Sequence, residues 1–448
     1  MNYTVHVPDN IQYIETLEKM VSQNNLTIKY LHPDSKSFHI FGDQKNIDIF
    51  LKNIEKYEID NVFAFASDNT KSSVKTYIKN TRKIEFNSEE NNPYFNAKEL
   101  AQIYNISGTQ ATRADIAIIE LGGGYNLSDL TTYWKYLGLT IEPLVYAISV
   151  DGAQNSPGND ADTEVVLDIE VVGGICPNSN IYVYFAPNTH QGFYDAIHNA
   201  IYSTTHPVSV ISISWGSPEN TWDMKTMAAF NNLFEQAANK GITVCVASGD
   251  SGSSDGEYWG NHTDFPASSP WVLACGGTNL VCPNKVYDNS TKEIVWGTIP
   301  NDGAAGGGFS TIFEKPSWQT DATKSYSTKM RGIPDISGDA DPLTGWIIYI
   351  NQSYTTIGGT SPVPPMWAAY LAGIGFGHFV NPILYDLYQS HKAIVHDILI
   401  GNEGAFSAKN GWDPASGLGS PNGNILTPLL KDFNEKQKKP LRKNIKSY

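Results

Sequence analysis

Over the first 67 residues the apolar positions switch between two spacings. TVHV alternates as a strand does, and IQYIETLEKMVSQ places its apolar residues three and four apart, the spacing of an amphipathic helix. LTIKYL and SFHIFG read as two strands around the turn HPDSK, IDIFLKNIEKY as a second helix and VFAFAS as a last strand. The order βαββαβ is that of a ferredoxin-like α+β unit. Residues 68–92 lose this periodicity and are polar, the composition of an exposed and cleavable linker.

From residue 93 to about 430 the texture changes again. ADIAIIEL, PVSVISISWG and GITVCVASG are short apolar runs, separated by helical patterns such as DTEVVLDIEVVGGI and TWDMKTMAAFNNLFEQAANK. Strands alternating with helices predict a parallel sheet covered on both faces, and ligands of such sheets sit at the carboxyl ends of the strands. The stretch 431–448 carries seven Lys/Arg against two Asp/Glu and reads as a solvated basic tail.

Composition narrows the function classes. Of 448 residues, 41% are hydrophobic and 17% charged, which calls for a packed core rather than disorder. A formal net charge of −15 is the wrong sign for tracking phosphates, so no nucleic-acid partner is expected. No run approaches the roughly 20 apolar residues of a membrane span, and the first residues lack the basic start and apolar core of a signal peptide. No membrane partner is expected, and the compartment is left open. Four cysteines are too few for a disulfide framework; Cys275 and Cys282 are near enough in sequence for a local bridge, or are two buried thiols.

Several polar residues stand out against this background. Ser361 follows a Gly-Gly-Thr turn and precedes Pro362 and an apolar helical run. Ser then Pro is a good helix cap, but a serine there also has backbone N–H groups and the helix dipole positioned to stabilise developing negative charge. A nucleophilic serine needs a base, and none of the ten histidines sits in a suggestive turn. Glu164 and Asp168, four apart on one face of a helix otherwise rich in valine and isoleucine, are the substitute. No Lys or Arg lies within a turn of the pair, which argues against a solvated charged stripe and for buried acids that share protons. Asp250 follows the strand GITVCVAS within a Gly/Ser-rich turn, where an Asx turn is the ordinary reading. Glu120 ends ADIAIIEL and Trp215 ends VSVISISWG, both where a site would form. The Gly-rich GAAGGGFS lacks the Lys-Ser/Thr of a phosphate loop.

Together these pieces carry a resemblance. IIELGGGY, TEVVLDIEV, SISWG, SGDSGS, RGIPDISGDADPLTG and GGTSPVPPMWA occur in the order and spacing of the sedolisins, the serine-carboxyl peptidases, and resemble most the kumamolisin-like members. HDILIG and NGWDPASGLGSP resemble the family's calcium loop. The resemblance implies a subtilisin-like catalytic domain with a parallel sheet flanked by helices. It implies Ser361 as nucleophile, Glu164 as general base, Asp168 as the acid orienting it, and Asp250 as a protonated donor to the oxyanion. Glu120 and Trp215 would extend the proton-sharing network. Ca²⁺ would be held by the carboxylates of Asp397 and Asp413 and the backbone carbonyls of Ile398, Lys409 and Gly411.

The activity so implied is acid peptide-bond hydrolysis, with an endopeptidase expected. A tripeptidyl-peptidase of the same family and a non-catalytic binding relative are the alternatives. The ferredoxin-like unit would be a short prodomain acting as intramolecular chaperone and inhibitor of a monomeric enzyme. A carboxylate base, with an ordinary pKa near about 4.3 against about 6.5 for histidine, keeps working in acid. Paired carboxylates also serve glycosidases, but those flank a sugar across a cleft rather than occupying adjacent turns of one helix.

Overall fold

The computed structural model describes residues 2–6, 14–30, 38–56, 63–66, 74–83, 93–107, 113–299 and 303–438. At the N-terminus, strands Asn2–His6, Thr27–Tyr30, Phe38–Phe41 and Phe63–Ala66 pair antiparallel, and helices Ile14–Gln23 and Gln44–Lys56 alternate with them. The strand order places the first strand between the third and the fourth, with the second outermost, as the βαββαβ pattern requires. Leu17, Val21, Ile40, Ile47 and Phe50 fill a small core of their own. The turn HPDSK and residues 68–73 and 84–92 of the linker lie outside the described residues.

This unit rests on the larger domain. Its last strand packs on helix Met224–Asn239. His39, buried on the strand Phe38–Phe41, meets Asp195 of helix His190–Tyr202 with Nε2 2.8 Å from Oδ2.

The alternating blocks of the larger domain form an eight-stranded sheet. Across it run Lys292–Val295, Leu273–Val281, Thr243–Ala247, Val210–Ile213, Ala114–Glu120, Ser179–Phe185 and Leu144–Ser149, with Ile336–Asp339 also paired to Leu273–Val281. Only Lys292–Val295 runs antiparallel. Parallel strands covered on both faces need continuous apolar runs, and Val210–Ile213 and Thr243–Ala247 are buried at every position.

Two buried helices flank this sheet. Asp162–Ile175 coincides with the predicted DTEVVLDIEVVGGI; it is buried along its length apart from Thr163. Val363–Gly373 is buried throughout, and its Pro364 and Pro365 lie in the first turn, where a missing N–H costs no helical hydrogen bond. A helix apolar all round belongs inside a protein, and these two pack on each other.

Three sequence expectations need correction, and the alternative left open for the cysteines is decided. The strand PVSVISISWG stops at Ile213, and after Ser214 Trp215 opens a second short strand, Trp215–Pro218, which pairs with Asp264–Phe265 and Lys75–Thr76 rather than with the main sheet. All four cysteines are free and buried; Cys275 and Cys282 point their thiols at the backbone oxygens of Leu273 and Val286. Residues 431–438, read as part of a solvated tail, continue helix Gly423–Lys438, held by buried Asn434, whose Nδ2 donates to the Gly375 carbonyl at 2.7 Å. Residues 439–448 lie outside the described residues. The linker is not uniformly exposed either: Lys75–Thr76 and Lys79–Lys83 are strands, and Tyr77 between them is buried.

Candidate active site

Three parallel strands deliver polar residues to one edge of the sheet. Glu120 is the last residue of its strand, Ser214 and Trp215 follow Ile213, and Asp250 follows Ala247 by three positions. Helix Asp162–Ile175 adds Glu164 and Asp168 from its first turns, and the turn before helix Val363–Gly373 adds Ser361. All seven side chains are buried.

The Ser361 hydroxyl donates to Glu164 Oε2 at 3.0 Å. It is not a helix cap, since the helix begins after Pro362 and no side chain caps it. Its partner is a carboxylate rather than an imidazole. Ser214 Oγ lies 2.9 and 3.1 Å from the two Asp168 oxygens and 3.0 Å from the Ser361 carbonyl. One hydroxyl carries one proton. If Ser214 donates it to the Ser361 carbonyl, Asp168 can approach Ser214 only as a protonated acid that donates in turn. Trp215 Nε1 donates to Glu120 Oε2 at 3.1 Å.

Burial holds these carboxyls above their ordinary range. For Glu164 burial comes first, then the negative charges of Asp168 and Glu120, opposed by the Ser361 hydroxyl. For Asp168 burial is opposed by Ser214 and Glu164; for Glu120 burial and the charge of Asp168 are opposed by Trp215. No cation is among these causes, so like charges cannot all form at once and the set shares protons.

Asp250 faces the same turn from the other side. Its Oδ1 accepts from the backbone N–H of Thr360 at 2.7 Å and from the Thr360 hydroxyl at 2.8 Å. Its Oδ2 is buried and has no hydrogen-bond partner among the described residues. Burial pushes Asp250 up to about 6, against the opposing Thr360 hydrogen bonds. A carboxyl fixed by one oxygen, protonated and free at the other, is a donor aimed at whatever lies beside it.

What lies beside it is the linker. Lys75–Thr76 pairs antiparallel with the strand that Trp215 opens, and Lys79–Lys83 pairs antiparallel with Ser353–Gly358. Between the two, the Tyr77 carbonyl accepts from the Ser361 backbone N–H at 3.1 Å. Gly359 (φ +118°) lies under that carbonyl; a Cβ there would overlap the Tyr77 oxygen and crowd Asp250 Oδ2, so the position excludes side chains. The Tyr77 hydroxyl donates to Asp264 Oδ2 in a buried pocket behind Gly216, with Asp255 adjoining.

In the C-terminal loop, Asp397 Oδ2 accepts from the Gly411 N–H at 3.0 Å. Asp413 accepts from Lys409, Ala415 and Ser416 N–H groups at 2.8–3.0 Å. Ile398 is buried and Gly411 sits at φ +81°. Burial raises both carboxyls, Asp413 to about 6. Asp413 is buried and Asp397 partly so, and neither has an ion pair among the described residues; two such carboxylates on one loop suit a hard cation. His39, Asp151 and Asp195 form a separate group where the N-terminal unit meets the larger domain.

Sequence pattern, read together with the family resemblance, singles out Glu120, Glu164, Asp168, Trp215, Asp250 and Ser361, and the fold brings all six together. It does not single out Ser214, which stands inside the motif SISWG, or Thr360, which precedes Ser361. Nor does it single out Asp264, whose strand Asp264–Phe265 carries no pattern that marks it.

A subtilase family model matches residues 147–374. The chain belongs to the subtilase family, on its sedolisin branch. It is 45% identical over 358 residues to kumamolisin of Bacillus sp. (strain MN-32), covering 76% of this chain and 64% of the relative. Tripeptidyl-peptidase 1 of Rattus norvegicus is 28% identical, covering 74% of this chain and 63% of that protein. The chain therefore spans less than two thirds of the length of these relatives. A solved structure of Pseudomonas sedolisin, a serine-carboxyl proteinase complexed with pseudo-iodotyrostatin, superposes with a TM-score of 0.67 at 28% identity. It covers 76% of this chain and 98% of that one.

Proposed function

We propose that this chain is a serine-carboxyl peptidase that hydrolyses peptide bonds in acid. The observation that carries the reading is the hydrogen bond from Ser361 to Glu164 in a site without histidine. Glu164 takes the Ser361 proton as the hydroxyl attacks, and returns it to the departing amine. Asp168, hydrogen-bonded to Ser214 and beside Glu164 in the same buried set, holds a proton so that the remaining negative charge stays on Glu164. Glu120, tied to Trp215, extends the network. The Ser361 N–H and the protonated Oδ2 of Asp250 stabilise the oxyanion.

Endopeptidase action is favoured over removal of tripeptides. A chain enters the cleft along Trp215–Pro218 and leaves it along Ser353–Gly358, so both ends are open. The N-terminal unit, residues 1–67, serves as chaperone and inhibitor and is then removed with the linker, 68–92, by self-cleavage in acid; the buried His39–Asp195 contact supports that docking. Asp397 and Asp413, with the carbonyls of Ile398, Lys409 and Gly411, would hold Ca²⁺, which pins the loop and takes no part in the chemistry. No helix among the described residues is long and apolar enough to cross a membrane.

Purified wild type and Ser361→Ala, incubated with a denatured protein at acid pH, test the reading. Fragments from wild type alone are expected; fragments from neither, or equally from both, refute it.

A further inference from the structure

The linker does not merely cover the site; it lies in one register. Gly216 pairs with Lys75 and Trp215 with Thr76, which brings the next residue, Tyr77, to the nucleophile. The Tyr77 carbonyl is the one that accepts from the Ser361 N–H, and the same oxygen lies over Gly359 beside the unpartnered Oδ2 of Asp250. Both donors available to an oxyanion therefore converge on this carbonyl. Beyond it, Ile78 passes the turn and Lys79 pairs with Gly358, so backbone pairing on both sides keeps the chain from sliding. The Tyr77 side chain anchors the register. It is 1% exposed, and its hydroxyl donates to Asp264 in the pocket behind Gly216.

We infer that the first self-cleavage of this chain breaks the Tyr77–Ile78 peptide bond, with Tyr77 filling the pocket that selects the residue before the cut. The inference rests on the peptidase reading above. In the step, Ser361 Oγ bonds to the Tyr77 carbonyl carbon and its proton passes to Glu164. The carbon–nitrogen bond to Ile78 breaks, and the amine of Ile78 takes that proton. Water then splits the Ser361–Tyr77 ester, giving one proton to Ser361 through Glu164 and leaving a carboxylic acid on Tyr77. The new N-terminal strand Lys79–Lys83 stays paired with Ser353–Gly358 until it is displaced, so the Ile78 terminus appears before any shorter one.

The test is a time course of the full chain shifted to acid pH, with N-terminal sequencing and intact mass of the earliest products. The expected result is a first new N-terminus at Ile78 in wild type and none in Ser361→Ala. Tyr77→Gly, which empties the pocket, slows that cut about ten-fold or more. The synthetic peptide VKTYIKNTRK, added to processed enzyme, is expected to split between Tyr and Ile. An earliest terminus elsewhere, or an intact Tyr77–Ile78 bond in a chain that digests an added denatured protein, overturns the register and leaves the peptidase reading standing. Wild type that cuts neither itself nor the added protein overturns the peptidase reading instead.

Discussion

The Ser361 hydroxyl and Glu164 Oε2 lie 3.0 Å apart although 197 positions separate them in the chain. Two buried helices bring them together: Glu164 is in the first turn of one, and Ser361 stands just before the other. A serine that spends its proton on a carboxylate is not capping a helix. The apolar surroundings make that carboxylate a stronger base than an exposed one.

Asp250 provides the clearest pH signature. It donates to an oxyanion only while protonated, and burial sets its pKa at about 6, so activity falls as pH rises through that value. Asp250→Ala is expected to lower kcat about 10²- to 10³-fold. Asp250→Asn keeps a donor that does not titrate, so the remaining activity should lose the fall near about pH 6. A pH–rate profile of the three proteins on one peptide checks both points; an unchanged fall in Asp250→Asn counts against this role.

Stability should follow the same sign. Glu120, Glu164, Asp168, Asp250, Asp255 and Asp264 are all raised by burial, Asp250 to about 6 and Asp255 to about 8. Each binds its proton more tightly folded than unfolded. For Asp250 and Asp255 the stabilisation is complete below about pH 4, where the unfolded carboxyls are protonated too, and is lost as pH rises through about 6 and about 8 respectively. Thermal unfolding of Ser361→Ala, which cannot digest itself, is expected to show a lower Tm at about pH 8 than at about pH 5. An equal or higher Tm at the upper pH contradicts it.

Calcium linkage is checked by chelation. Removing the ion from the Asp397–Asp413 loop should lower Tm by about 5 °C at saturating metal. The variant Asp413→Asn should melt at the lower temperature with or without chelator. No shift in wild type argues against the site.

Much of the site is legible in the sequence alone. Glu164 and Asp168 betray themselves as acids four apart with no Lys or Arg nearby, and Glu120 by ending an apolar strand. Local patterns carry that kind of information. Ser214 does not announce itself, because a serine in a strand end is ordinary until Asp168 stands opposite it. Tyr77 reads as linker for the same reason: its burial depends on Asp264 and Gly216, both far along the chain. Lys431–Lys438 reads as solvated because charge density hides a helix that turns Phe433 onto Phe376 and His378 and Asn434 onto the Gly375 carbonyl.

Replacing one oxygen of Glu164 by nitrogen tests proton handling by acidic side chains most directly. Glu164→Gln keeps size and shape but cannot take the Ser361 proton. Its kcat at acid pH on a peptide substrate is expected to fall by about 10⁴-fold, with Tm little changed. Hydrolysis within a few-fold of wild type would show that another group serves as base, and the assignment would be wrong.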